Sequence, residues 1–443
     1  MENKIIVKGD YEAALNELKN DKNNSVASLF KKEPSKNKGL LIDAIYTIKE
    51  NYATKENISS ASSKILENFV PYYDATAIQK LDKAGAIKIA KVYCDELALG
   101  GTGTYSAYGL IRNPFDEKRL AGGSSSGSAA TLTKNISFAL GSDTGDSVRL
   151  PASYNGLVGF KPSYGAISRY GLFAFASSLD TVAYFAHNVN DISLISQALY
   201  GKDNKDFTSV DVKIDNISKL KPLKIGILDV NKHLEEFVSK RLESLHSTLI
   251  KNNIKVDLIE PNEILLKAIK PVYEVISFSE ASSNLANLNG IAFGNRYDGE
   301  NWEEIMTKTR TNGFGHMVQL RLTLGSYFLH QNNQKDMFIK AQQVRRLISD
   351  YFTNLHNKYD VLIYPAYSNV APYIDSKLNK NYDYMEYILT GANLTGNPSI
   401  TIPWIKKDNL FVNLTIDSKL YTDEKLLSYS LWIEELLKGV NNE

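Results

Sequence analysis

Gly122-Gly123-Ser124-Ser125-Ser126-Gly127-Ser128 and, a short way on, Gly141-Ser142-Asp143-Thr144-Gly145-Asp146-Ser147 are the stretches on which the reading of this chain turns. Both lie between Gly100 and Gly171, where glycine and serine are far denser than elsewhere. Glycine lets backbone N–H groups approach a ligand closely, and serine adds hydroxyls that can attack a carbonyl or relay a proton. Taken alone, either stretch reads equally well as a small-residue loop without chemistry.

Two chemical readings compete with that bland one. A phosphate-binding loop fails because no Gly-Lys-Ser/Thr follows at the required spacing, and Gly101-Thr102-Gly103 lacks the third glycine of a dinucleotide fingerprint. Gly123-Ser124-Ser125-Ser126-Gly127 matches the Gly-x-Ser-x-Gly elbow formally, with Ser125 as nucleophile, but that elbow must join a strand to a helix. The preceding residues 112–120 are polar and interrupted by Pro114, so they read as loop. The elbow also needs a histidine base, and His187, His233, His246, His316, His330 and His356 occupy no catalytic setting. None has zinc-ligand spacing, and the lone Cys94 offers no cluster, so no metal site is expected.

Composition narrows the classes further. The 443 residues, 43% hydrophobic and 23% charged, are those of a folded globular protein with a large core. Lys plus Arg is 51 against 50 acidic residues, giving a net charge of +1 and no global field for a polyanion. A single cysteine, no signal-like leader in MENKIIVKGD and no run of about 18 apolar residues together point to a cytoplasmic protein.

Strand-length apolar runs alternate with helical patterns, so the expected class is α/β with a mixed sheet layered by helices. Residues 40–48 read as a strand, Asp74 as the cap of a helix ended by Gly85, and 86–92 as the next strand. Short β-rich runs follow at 223–228, 256–259, 361–364 and 400–402, and 235–252 is helical in period. One domain over 1–443 is expected, with a short helical segment at about 1–35 and a connection at about 201–221.

Three stretches together resemble the amidase signature family: Ile45-Tyr46-Thr47-Ile48-Lys49-Glu50-Asn51, residues 122–128 and residues 141–151. The resemblance implies that family's fold, a large mixed central sheet covered by helices on both faces. It also implies a triad of Lys49 as base, Ser124 as a bridging serine on a cis peptide, and Ser147 as nucleophile. The backbone N–H groups of Thr144, Gly145 and Asp146 would then cradle the oxyanion. The residue types suit these roles, since serine attacks only when a base takes its proton, and lysine is a base only when neutral, which burial promotes.

Longer stretches resemble one branch of that family, the A subunits of tRNA-dependent amidotransferases. They are residues 62–69, 164–172, 174–180, 279–285 and 313–315. This resemblance implies glutamine hydrolysis to supply ammonia for converting Glu-tRNA(Gln) to Gln-tRNA(Gln), or the Asp-tRNA(Asn) counterpart. It implies B and C partner subunits, tRNA contacted mainly through B, and ATP and Mg on the partner, with no cofactor in this chain. Glutamine would be held by Tyr273 and Arg321, the latter on a helix with Leu320 and Leu324, and by an acidic residue at a position where this chain has Tyr387 beside Glu386. Further departures are Asp146 and Ser126 where glycine is usual, and a spacing from Ser124 to Ser147 shorter by one residue. A freestanding amidase on another amide and a catalytically silent scaffold are the alternatives.

Overall fold

Ile45–Lys49 forms a strand buried at every position, because IYTIK has no residue that must face water except the terminal lysine. In the computed structural model, which describes residues 4–33, 37–376 and 383–440, this strand is the third in an 11-stranded sheet. In chain order the strands are β1 Val26–Leu29, β2 Ile45–Lys49, β3 Ile87–Val92, β4 Phe138–Asp143, β5 Val158–Lys161 and β6 Thr181–Ala186. They continue as β7 Lys224–Leu228, β8 Lys255–Ile259, β9 Val361–Pro365, β10 Ser399–Lys407 and β11 Leu410–Asp417. Across the sheet they run β1-β3-β2-β4-β6-β5-β10-β11-β9-β7-β8.

The sheet is mixed. β2 lies parallel to both β3 and β4, and β7 parallel to β8 and β9, whereas the strands between these groups pair antiparallel. The helix Thr76–Lys83 carries the chain from β2 to β3, the crossover that a parallel pair requires. Alternate strand residues feed opposite faces. Phe138 and Leu140 of β4 join a core with Ile192, Ile195, Leu242 and Leu427, while Ala139 between them packs with Tyr11, Ala14 and Leu18. Likewise Val361 and Ile363 of β9 enter the first core, and Leu362 and Tyr364 a third one with Ile276 and Phe352. Helices therefore cover both faces.

Two elements differ from the sequence expectation. The strand expected at 40–48 begins only at Ile45, because Asp43 adopts φ +60° in a turn where the Leu41 and Asp43 amides bond the Ala84 and Gly85 carbonyls. Leu41 is nonetheless fully buried, so the apolar signal was real but belonged to a packed turn. Asp74 does not cap the next helix: Ala75 is the N-cap, and the Asp74 carboxylate accepts the Lys55 amide at 2.8 Å.

The runs at 223–228, 256–259 and 361–364 form β7, β8 and β9 to within a residue, and 235–252 contains the helix Glu236–Lys251. β10 outgrows its expected 400–402 core because it pairs with β5 on one side and β11 on the other, accommodating Pro403 at an irregularity in register. Within the N-terminal segment the helix is Tyr11–Lys19; residues 1–3 and 34–35 of that segment lie outside the described residues. Residues 201–221 contain no helix or strand, yet Leu220 and Asn216 bond Ser428 and Glu424 of the helix Asp423–Val440. Among the described residues no helix is long and apolar enough to cross a membrane.

Candidate active site

Lys49 is the last residue of β2, at the carboxyl end of the parallel β3-β2-β4 group, where α/β sheets place their ligands. Its side chain is fully buried. The ammonium would be costly there, and burial lowers its pKa to about 8 against the opposing pull of Asp95, Asp143 and Asp180. Nζ lies 2.8 Å from Ser124 Oγ, 3.0 Å from Ser125 Oγ and 2.8 Å from Ser142 Oγ. The Ser125 hydroxyl donates to the Ser142 carbonyl at 3.1 Å, so it takes a hydrogen bond from the amine. Ser142 Oγ also accepts from the Asn51 amide at 3.0 Å. Ser124 and Ser142 are therefore the two hydroxyls placed to donate to the lone pair of a neutral Lys49, and Ser124 is the one on the loop bonded to Ser147.

The first loop is shaped by a buried carboxylate. Asp95 accepts the amides of Thr102, Gly103 and Tyr105 at 3.2, 3.1 and 2.9 Å, and its own amide bonds the Ser124 carbonyl at 3.1 Å. The Gly123–Ser124 peptide is cis. A Cβ on Gly123 would strike the Asp95 carboxylate and come within 2.8 Å of the Thr102 and Gly103 nitrogens, so the close approach requires glycine. Ser126, where glycine is usual, buries a hydroxyl with no partner among the described residues and packs beside Gly103.

The second loop leaves β4 at Asp143 and enters the short helix Arg149–Asn155. Asp143 and Arg149 form a fully buried pair, with Nε and Nη2 of the guanidinium at 3.1 and 3.0 Å from the two carboxylate oxygens. Burial pushes the Asp143 carboxyl up, and Arg149 more than offsets it, holding it below the usual range. Arg149 also bonds the carbonyls of Gly145 and Leu389, while the Asn393 side-chain amide donates to Asp143 at 2.9 Å.

Thr144 donates its hydroxyl to Asp180 at 2.7 Å. Among the described residues the N–H groups of Thr144, Gly145, Asp146 and Ser147 have no backbone acceptor. Asp146 does not adopt positive φ, so its glycine-like position imposes no left-handed strain. The Ser147 carbonyl accepts the Ser125 amide at 3.3 Å, which ties the two loops together.

Replacing Arg149 by alanine would leave Asp143 buried without its cation. The expected cost is about 3–5 kcal/mol, read as a lower melting temperature, with part recovered by adding Asp143→Asn.

The opposite wall is built by two helices. Tyr273, on Glu263–Asn284, sets its ring against Gly145: a Cβ there would lie 3.2 Å from the phenol oxygen. Arg321, on His316–Leu329, has its guanidinium 5.0 Å from the Phe278 ring, with Nε and Nη1 buried and lacking partners among the described residues. Tyr387 joins this wall, its ring 6.4 Å from that of Tyr273. Glu386 lies near the same wall: burial raises its carboxyl against the pull of Lys270, whose Nζ sits 5.0 Å over the Tyr387 ring.

Sequence reading missed Ser142 and Asn51 as partners in the lysine network, though both lie in the quoted motifs. It also missed Asp95 and Asp180, which shape the loops. Nothing local marks Asp95, because its three amide donors come from a turn folded back upon it.

The chain matches the Amidase family model over residues 4–427. It is 40% identical over 404 residues to the A subunit of glutamyl-tRNA(Gln) amidotransferase from Sulfurihydrogenibium sp., covering 88% of this chain and 82% of that one. To the A subunit of glutamyl-tRNA(Gln) amidotransferase from Mycoplasma genitalium it is 35% identical over 456 residues, 98% of this chain and 95% of the relative. The crystal structure of the glutamyl-tRNA(Gln) amidotransferase A subunit from Thermotoga maritima superposes with a TM-score of 0.78 at 31% identity, covering 97% of this chain and 91% of that one. With a family match spanning nearly its whole length and relatives of this kind, the chain belongs to the amidase family, and within it to the branch of the glutamyl-tRNA(Gln) amidotransferase A subunits.

Proposed function

We propose that this chain hydrolyses glutamine and hands the ammonia to partner subunits that amidate Glu-tRNA(Gln). The observation that carries the chemistry is the buried Lys49 amine within 2.8 Å of Ser124 on the loop bonded to Ser147. Neutral Lys49 accepts the Ser124 proton as Ser124 accepts that of Ser147, and the Ser147 oxygen attacks the side-chain amide carbon. The N–H groups from Thr144 to Ser147 receive the developing oxyanion. The proton returns along the same path to the departing nitrogen, ammonia leaves, and water then releases glutamate from the acyl-serine.

Arg321 suits the α-carboxylate of glutamine, because its guanidinium fork can make paired hydrogen bonds and two of its nitrogens await partners. Tyr273, against Gly145, borders the same space. Relatives named as A subunits imply a multisubunit complex; B and C subunits are the partners proposed here, with tRNA, ATP and Mg handled by the partner and the whole working in the cytoplasm. This division suits a chain of net charge +1, which has little field of its own for tRNA. Among the described residues no His, Cys, Asp and Glu cluster could hold a metal ion, and the proposed steps use none.

Ammonia release from glutamine, measured with the chain alone and with candidate B and C subunits, tests this reading. Release that rises on assembly is expected. Hydrolysis of other amides without any of glutamine would favour a freestanding amidase.

A further inference from the structure

We infer that Glu96 is a positioning residue for glutamine hydrolysis: it pins the start of the helix that carries Arg321 to the turn that holds the Ser124 loop, and so sets where glutamine lies against the nucleophile. The inference rests on the glutaminase reading and deepens it.

Glu96 is buried, and no step of the proposed chemistry uses it. One carboxylate oxygen accepts the Gly315 amide at 2.9 Å, and the other accepts the Ser63 hydroxyl at 2.5 Å. It thereby joins two of the stretches whose resemblance marks the A-subunit branch, 62–69 and 313–315. Gly315 is the N-cap of His316–Leu329 and has no side chain to cap with, so the carboxylate closes that helix from outside. A Cβ on Gly315 would strike Glu96 Oε2, so the close approach requires glycine.

The turn beneath Glu96 is fixed independently. Asp95, the preceding residue, holds the first loop and bonds the Ser124 carbonyl. Leu97 and Ala98 adopt φ +52° and +63°, Ala61 and Ser62 φ +49° and +56°, and the Leu97 amide donates to the Ala61 carbonyl at 2.8 Å. Left-handed backbone at residues with side chains is costly and persists only where the surroundings over-determine it. Glu96 therefore stands on a rigid base.

Farther along, the same helix is seated on the Tyr273 helix, where an added Cβ at Gly325 would overlap the Phe278 carbonyl. Arg321 lies between the two seats, about 9 Å of helix axis beyond Gly315. Without Glu96 the helix keeps its seat at Gly325 and loses the one at Gly315, so its first turns, Arg321 included, are free to pivot. The Ser124 loop keeps Asp95. The effect falls on holding the substrate more than on attack.

Burial raises the Glu96 carboxyl to about 7, against its two hydrogen bonds and the pull of Lys64. Near neutral pH the site thus holds the uncharged group as readily as the anion, and a side-chain amide can replace it. The amide oxygen accepts the Gly315 N–H, and the nitrogen donates to Ser63, whose hydroxyl turns to the Gly313 carbonyl 3.3 Å away.

The test measures ammonia release against glutamine concentration in the assembled complex carrying wild-type chain, Glu96→Ala, Glu96→Gln or Gly315→Ala. KM does not depend on how much of a preparation is folded. Glu96→Ala is expected to raise KM by about 10- to 100-fold, the effect of a displacement of about 1 Å, with a much smaller change in kcat. Glu96→Gln is expected to restore the wild-type KM. Gly315→Ala, which pushes the carboxylate off the amide while Glu96 stays in place, should raise KM in the same way, and it decides the matter if Glu96→Ala does not fold. KM unchanged in the alanine variants, a loss confined to kcat, or Glu96→Gln as impaired as Glu96→Ala overturns the assignment and leaves the glutaminase reading intact. No ammonia from glutamine in the wild-type complex overturns both.

Discussion

Ser147→Ala is expected to abolish ammonia release from glutamine, with kcat falling by about 10^4-fold or more. The substitution removes a single oxygen from a buried residue that packs tightly against the first loop through its carbonyl, so the fold should be retained. Glutamine binding should also survive, because the groups proposed to hold the amino acid belong to Arg321 and Tyr273. Equilibrium binding of labelled glutamine to the inactive variant separates loss of chemistry from loss of the site. A variant that binds glutamine and still turns it over at the wild-type rate would remove Ser147 from the mechanism.

Lys49 should set the alkaline requirement of the reaction. The proposed base is the neutral amine, whose pKa burial lowers to about 8. Only about a tenth is neutral one unit below that value and about nine-tenths one unit above, so the rate should rise with pH through about 8. Lys49→Ala should cost about 10^2- to 10^4-fold in kcat and remove that limb of the profile.

Lys49→Arg is the more discriminating change. It keeps the positive charge and several donors, but guanidinium does not lose its proton in this range. If Lys49 acted only as a fixed cation, arginine would rescue; as a base, it should be about as inactive as alanine. A pH profile unaltered in Lys49→Arg would end the base assignment.

How much of this was readable in the chain can be judged residue by residue. Lys49 and the two Gly/Ser loops were legible only together, through the three stretches that resemble the amidase signature family; alone, Lys49 reads as a solvated strand end and either loop as a connection without chemistry. The strand start was misplaced because Leu40, Leu41 and Ile42 have the composition of a strand, while the turn around Asp43 is fixed by amides bonding the carbonyls of residues 84 and 85. Asp74 had a capping residue's chemistry, but its carboxylate accepts the Lys55 amide instead. Local pattern reports what a residue can do, and tertiary contacts choose among the options.

By itself the sequence determined the layered α/β class, because periodicity is a property of neighbours along the chain, and it pointed to the family and the two serine loops through the resemblance of three matched stretches. Only the tertiary structure decided that Ser125 and Ser142 share the lysine with Ser124, that Asp95 holds the first loop, and that Arg149 is locked to Asp143. These pairings join residues brought together by strand order and burial, and a buried charge or hydroxyl takes its pKa and its partner from whatever the fold packs against it.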